Sequence, residues 1–187
     1  MKLLNNERKL ASCAATAALV PWSKAGEGGR EPSADFADVE FPEAGGTGGR
    51  LHITTLRLIF NAHPANFVRG QLSVPLDLVW SARRWRSGLA VGIEVETPVA
   101  VHQYVSWSRG KILAALGQAR AEFGDEQRVA LAPLREAVSR WGPDGDVRSV
   151  DPTVREFLGI TGDEPSLNEF LTLHAFALPA PGMAPPS

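Results

Sequence analysis

The chain has little of what several chemistries need. Its single cysteine, Cys13, excludes an intrachain disulfide and a cysteine-rich metal site, and suits a reducing compartment. The four histidines, at 52, 63, 102 and 174, stand too far apart for a paired helical zinc motif and have no acidic cluster beside them, so no metal or other cofactor is expected. Gly-x-Ser-x-Gly, the Gly-x-x-x-x-Gly-Lys-Ser/Thr phosphate loop and a dinucleotide fingerprint are missing. The glycines between 45 and 49 lead into a strand pattern rather than a helix whose N-terminus would hold a phosphate, so the chain reads as a non-enzyme. No apolar run approaches the ~20 residues that cross a bilayer, the stretch Leu10 to Val20 included. Leu10-Ala11-Ser12-Cys13 has the shape of a lipoprotein cleavage box, but Asn5, Asn6, Glu7, Arg8 and Lys9 occupy the place of the apolar run such a signal requires. A cytoplasmic protein, at most peripheral to a membrane, is expected. A net charge of −2 offers no bulk attraction to nucleic acid.

What is present is an ordinary globular composition, 44% apolar and 21% charged, in 187 residues, enough for one domain and an extension. The charge is segregated. Residues 47–120 hold nine Arg/Lys against three Asp/Glu (+6), residues 1–46 five against seven (−2), and residues 121–187 five against eleven (−6). Either the acidic C-terminal part folds back on the basic part, or the basic face meets an anionic partner.

Alternation dominates the basic segment. Leu51 and Ile53 alternate with Arg50 and His52, and Leu58 and Phe60 with Arg57 and Ile59, around a turn at Thr54-Thr55-Leu56. Threonine suits that strand end because its hydroxyl can bond the local backbone. Further strands are predicted over 3–20, where small residues blur the pattern and leave helix as a competitor, and over 71–74, 78–85, 89–95 and 99–105. Pro75 belongs at a strand end because it cannot donate to a ladder. Leu51, Ile53, Leu58, Phe60, Val91, Ile93 and Val95 are assigned to the core, and His52 and His102 to the outer barrel face. From Ser106 the period becomes helical, with Ile112, Leu116, Ala119 and Phe123 on one side and Ser106 or Ser108 as cap. A second helix spans about 125–141, placing Leu131, Leu134, Val138 and Trp141 together around Pro133. Asp151-Pro152 opens a short helix ending near Gly159, and Ser166-Leu167-Asn168-Glu169 is a capping box for a helix through about Phe176. Trp22, Trp107 and Trp141 are assigned to packing at loop and helix ends.

The run Gly48-Gly49-Arg50-Leu51-His52-Ile53-Thr54-Thr55-Leu56-Arg57-Leu58-Ile59-Phe60 resembles the GRAM family, of bacterial type, a branch of the pleckstrin-homology-like (PH-like) fold. His52 departs from the family's usual aromatic. The resemblance extends through Leu3-Leu4-Asn5-Asn6-Glu7, His63 to Phe67, Leu72 to Leu76 and Gly88 to Glu96, covering roughly residues 3 to 120. It implies a mainly β fold with some α: a PH-like seven-stranded antiparallel barrel or sandwich capped by a C-terminal helix, over residues 1–123. Residues 124–178 would be a small helical extension and 179–187 a disordered Pro-rich tail. In lipid-binding relatives the loop joining the first two strands carries basic residues; here residues 21–46 hold Lys24 and Arg30 against six acids, a composition that repels a phosphorylated headgroup.

The implied task is non-catalytic binding. Arg83, Arg84, Trp85 and Arg86 are the candidate lipid or anion site, since arginine forks onto phosphate and tryptophan tolerates the bilayer interface. If this segment stays extended, Arg84 and Arg86 share one face and Arg83 and Trp85 the other. The partner is then an anionic membrane lipid. The alternative is a protein-interaction scaffold, with the acidic extension docked on the barrel or on a protein partner.

Overall fold

The computed structural model describes residues 1–20, 46–66, 69–139, 141 and 146–178. The expectations for the 21–46 connection, apart from Gly46, and for the 179–187 tail lie outside the described residues. The strands are β1 (Lys9–Val20), β2 (Thr47–Thr54), β3 (Arg57–Ala62), β4 (Gln71–Pro75), β5 (Ser81–Ser87), β6 (Ala90–Glu96) and β7 (Val101–Val105). Helices α1 (Arg109–Glu122), α2 (Asp125–Ser139), α3 (Pro152–Leu158) and α4 (Leu167–Ala177) follow. All seven strands form one curled antiparallel sheet in the order β4-β3-β2-β1-β7-β6-β5, with the helices following it, as the sequence reading expects. Its two edges are β4 and β5.

β1 joins the two halves, pairing with β2 from Lys9 to Ala17 and with β7 from Thr16 to Val20. Every second residue from Ala11 to Ala17 is buried, so the period of two survives although the side chains are small. Their size lets α1 lie against the sheet, where Ile112, Ala115, Leu116 and Ala119 are buried with Leu51, Phe60, Ile93 and Tyr104 in the main core. The motif glycine Gly49 has a related reason: a Cβ there would stand 2.6 Å from the Phe60 ring.

Several boundaries differ from the sequence reading. β1 starts at Lys9 because the chain before it turns, with the Glu7 amide donating to the Leu4 carbonyl at 2.9 Å. β5 starts at Ser81 because Leu76–Leu78 form a 3-10 turn that buries both leucines. β6 starts at Ala90, since Ser87 pairs with Ala90 across a two-residue turn. In that turn Gly88 has φ +56°, the positive value glycine accepts most readily, and Leu89 stands at the tip.

A second core of Leu56, Leu131, Leu134, Val138, Trp141, Leu158, Leu173 and Phe176 lies among α2, α3 and α4. Helix α4 belongs to both cores, since Leu171 and Ala175 face the first. The Ser166 capping box, the Asp151 cap of α3 and the apolar face of α2 form as the sequence predicts.

Candidate binding surface

The chain enters β5 as an extended edge strand, and the alternation divides the four candidate residues. Ser81, Arg83 and Trp85 lie on the outer face; Ala82, Arg84 and Arg86 lie on the face of their cross-strand partners Val95, Ile93 and Val91. Ala82 packs against the core, and Arg84 and Arg86 continue that face as exposed residues.

Arg83 is committed within the sheet. Its Nε donates to Glu94 Oε1 at 2.9 Å, and its Nη2 lies 3.3 Å from Glu96 Oε1. Glu94 also accepts from Gln103 at 2.8 Å, and Glu96 from the Ser81 hydroxyl at 2.7 Å. The Glu94 contact raises the guanidinium pKa further, so the charge persists but is locally compensated. Arg84 makes no ion pair among the described residues, and Arg86 only bonds the Gly88 carbonyl, Nε to oxygen 3.1 Å, which leaves its charge uncompensated. Trp85 is half-buried on the far side of the strand. The candidate set therefore reduces to Arg84 and Arg86.

Two large apolar side chains, one of them assigned to packing in the sequence reading, stand in water on turns at the same end of the sheet. Leu89 at the β5–β6 turn is 93% exposed and Trp107 between β7 and α1 is 89% exposed, the two most exposed large apolar residues described. The turns are neighbours, since Gly92 pairs with Val105 and the Ser106 amide donates to the Val91 carbonyl at 3.0 Å. Gly88 was a legible signal for a turn that lifts Leu89 out of the alternation. Nothing in the sequence exposed Trp107, whose neighbours resemble those of a packed helix start.

The histidines correct the outer-face assignment. His102 faces inward with Tyr104, their rings stacked 6.3 Å apart, and is 1% exposed. Its Nε2 lies 3.1 Å from Thr97 Oγ1, and burial pushes its pKa down to about 3, so it is neutral. His52 does lie on the outer face, opposite Ser12 and Ile59, but that face is covered and His52 is buried. Burial, then Lys9 and Arg50, lower its pKa. Among the described residues no three His, Cys, Asp or Glu side chains gather to hold a metal. No described helix is long and apolar enough to cross a membrane.

No family model matches the chain, and no curated protein does. Among solved structures, the C-terminal domain of an unknown protein from Leishmania infantum is similar at 20% identity and a TM-score of 0.40, covering 62% of this chain and 85% of that one. The Vps36 N-terminal PH domain is similar at 15% identity and a TM-score of 0.40, covering 65% of this chain and 83% of that one.

Proposed function

We propose that this chain is a non-catalytic binding module of GRAM type that associates peripherally with anionic membrane surfaces through the β5 end of its sheet. The observation that carries the reading is the pair Arg84 and Arg86, exposed on one face of an edge strand, opposite the apolar Ile93 and Val91 and without an ion pair among the described residues. The described helices of the acidic extension lie elsewhere: α4 runs along β4, at the other edge, and α2 packs on α4. The GRAM resemblance gains support from its own residues, because Glu7, Thr54 and Arg57 close on one another in a buried network.

Each cation near an anionic leaflet contributes ~1 kcal/mol, so two give ~2 kcal/mol, a roughly thirtyfold enrichment. With Arg83 compensated, charge alone anchors weakly. The test is co-sedimentation with phosphatidylcholine vesicles with and without phosphatidylserine. Binding only to the anionic vesicles at low salt, lost in Arg84→Ala/Arg86→Ala, is the expected result; equal recovery with both vesicle types overturns the reading.

The alternative, a protein-interaction scaffold, draws on α4 itself, which occupies the β4 edge that a partner strand would otherwise pair with. That leaves β5 as the edge open to a protein, and the same double variant would then abolish capture of an acidic peptide rather than of vesicles.

A further inference from the structure

We infer that the molecule meets an anionic bilayer end-on, Leu89 and Trp107 entering the interface as an apolar wedge while Arg84, Arg86, Arg109 and Lys111 reach lipid phosphates around it. This inference rests on the peripheral membrane reading and adds the orientation and the penetrating residues.

Four observations converge. Leu89 and Trp107 project from adjacent turns at one end of the sheet, nearly free of protein contact. The turns are held in place: Gly88 fixes the hairpin, the Ser106 hydroxyl donates to the Ala14 carbonyl at 3.0 Å, and the Ser108 amide donates to that hydroxyl at 3.2 Å. A tip already shaped for insertion loses little ordering entropy on binding.

The charged residues of the two turns and their flanks, residues 84–92 and 105–112, have one sign. The first turn of α1 carries Arg109 and Lys111 and no acid. Cations are unfavourable at the positive end of a helix, and neither makes an ion pair among the described residues. Folding gains nothing from that placement, whereas a phosphate brought to it meets two cations and free amides together. With Arg84 and Arg86, four cations flank two apolar side chains.

That pattern selects the occupant. A second copy docked tip to tip would set four cations against four. Lipid instead supplies phosphates at the depth of the guanidinium and ammonium groups and hydrocarbon just below, and tryptophan favours that boundary.

The full chain is tested with phosphatidylcholine/phosphatidylserine vesicles, some carrying bromine on the upper acyl carbons. Bromolipid should quench tryptophan fluorescence in the wild type; most of that quenching should vanish in Trp107→Phe while vesicle binding persists. Leu89→Ser/Trp107→Ser should weaken binding roughly tenfold or more at moderate salt. Both sites are exposed, so its thermal midpoint should match wild type. Anionic-vesicle binding that depends on Arg84 and Arg86 but shows no quenching and no loss in the serine variant overturns the wedge and leaves peripheral association standing. Absence of binding even at low salt overturns both. Concentration-dependent self-association abolished by the serine variant, without vesicle binding, assigns the tip to a protein contact and overturns the wedge.

Discussion

At the residue scale the most consequential group is Arg57. Alternation places it opposite the core, yet both it and Glu7 have fully buried side chains. Its Nε and Nη2 donate to the two Glu7 oxygens at 3.0 and 2.7 Å, Nη1 donates to Ser73 Oγ at 3.1 Å, and the guanidinium lies 4.4 Å from the Phe157 ring centre. Thr54 Oγ1 donates to Glu7 at 2.7 Å and accepts the Arg57 amide at 2.8 Å, so one hydroxyl fixes both the turn and the ion pair. Breaking such a pair strands a buried charge. Arg57→Met should cost about 3–5 kcal/mol in urea denaturation, and Glu7→Leu/Arg57→Met should cost clearly less than the sum of the single changes. His102 gives a pH prediction. Its folded pKa is depressed to about 3 against an unfolded value near 6.5, so its contribution is complete above ~6.5 and declines as acid protonates the unfolded chain first. Between pH 6.5 and 5 this amounts to about 2 kcal/mol, at ~1.4 kcal/mol per unit. The stability profile of His102→Gln should be flatter by that amount over the same range.

At the element scale the fold must dispose of two sheet edges, since an unpaired edge is a template for unwanted pairing. The β4 edge is closed by a helix. Ser73 donates its amide to Thr172 Oγ1 at 2.8 Å, Thr172 donates to the Gln71 carbonyl at 3.0 Å, and Ser166 donates to the Arg69 carbonyl at 2.9 Å. Thr172→Val keeps the shape and removes the hydroxyl, leaving buried backbone groups unmatched; a loss of about 1–3 kcal/mol is expected, with faster amide exchange at Ser73. The capping box was readable at Ser166 because its signal is local. That the next turns of the same helix would serve β4 was not, because the partners lie about a hundred residues away in sequence and no periodicity links them. The β5 edge is treated differently: it carries exposed arginines, which discourage strand pairing.

At the scale of the whole molecule the helices are structural members of the barrel. Helix α4 places Leu171 and Ala175 in the sheet's core and Leu173 and Phe176 in the helical core. A chain ended after Phe123 would leave the apolar wall of β4 uncovered; it should lose its near-ultraviolet circular dichroism and bind a hydrophobic dye, while the full chain does neither. The segregated charges meet through local exceptions rather than in bulk. Asp77, one of the few acids of the basic segment, lies 2.6 Å from Arg135 of the acidic one, and Arg135 also donates to the Leu178 carbonyl at 2.7 Å. Burial raises the Asp77 pKa and lowers that of Arg135, so the pair positions α2 more than it stabilises it. The helices of the acidic segment thus dock at β4, the edge opposite β5.

Alternation and capping signals determined that the strands exist, that β2 and β3 meet at a turn and where α3 and α4 start, because each is a property of neighbours along the chain. The split of Arg83 and Trp85 from Arg84 and Arg86 followed from the same period of two. Only the tertiary structure decided that Glu94 and Glu96 neutralise Arg83, that His102 turns inward, that Arg57 is buried beneath the N-terminal segment and α3, and that Leu89 and Trp107 share one end. The physical reason is common to all four: burial and compensation depend on which distant segment covers a face, and a strand's own pattern records only that it has two faces.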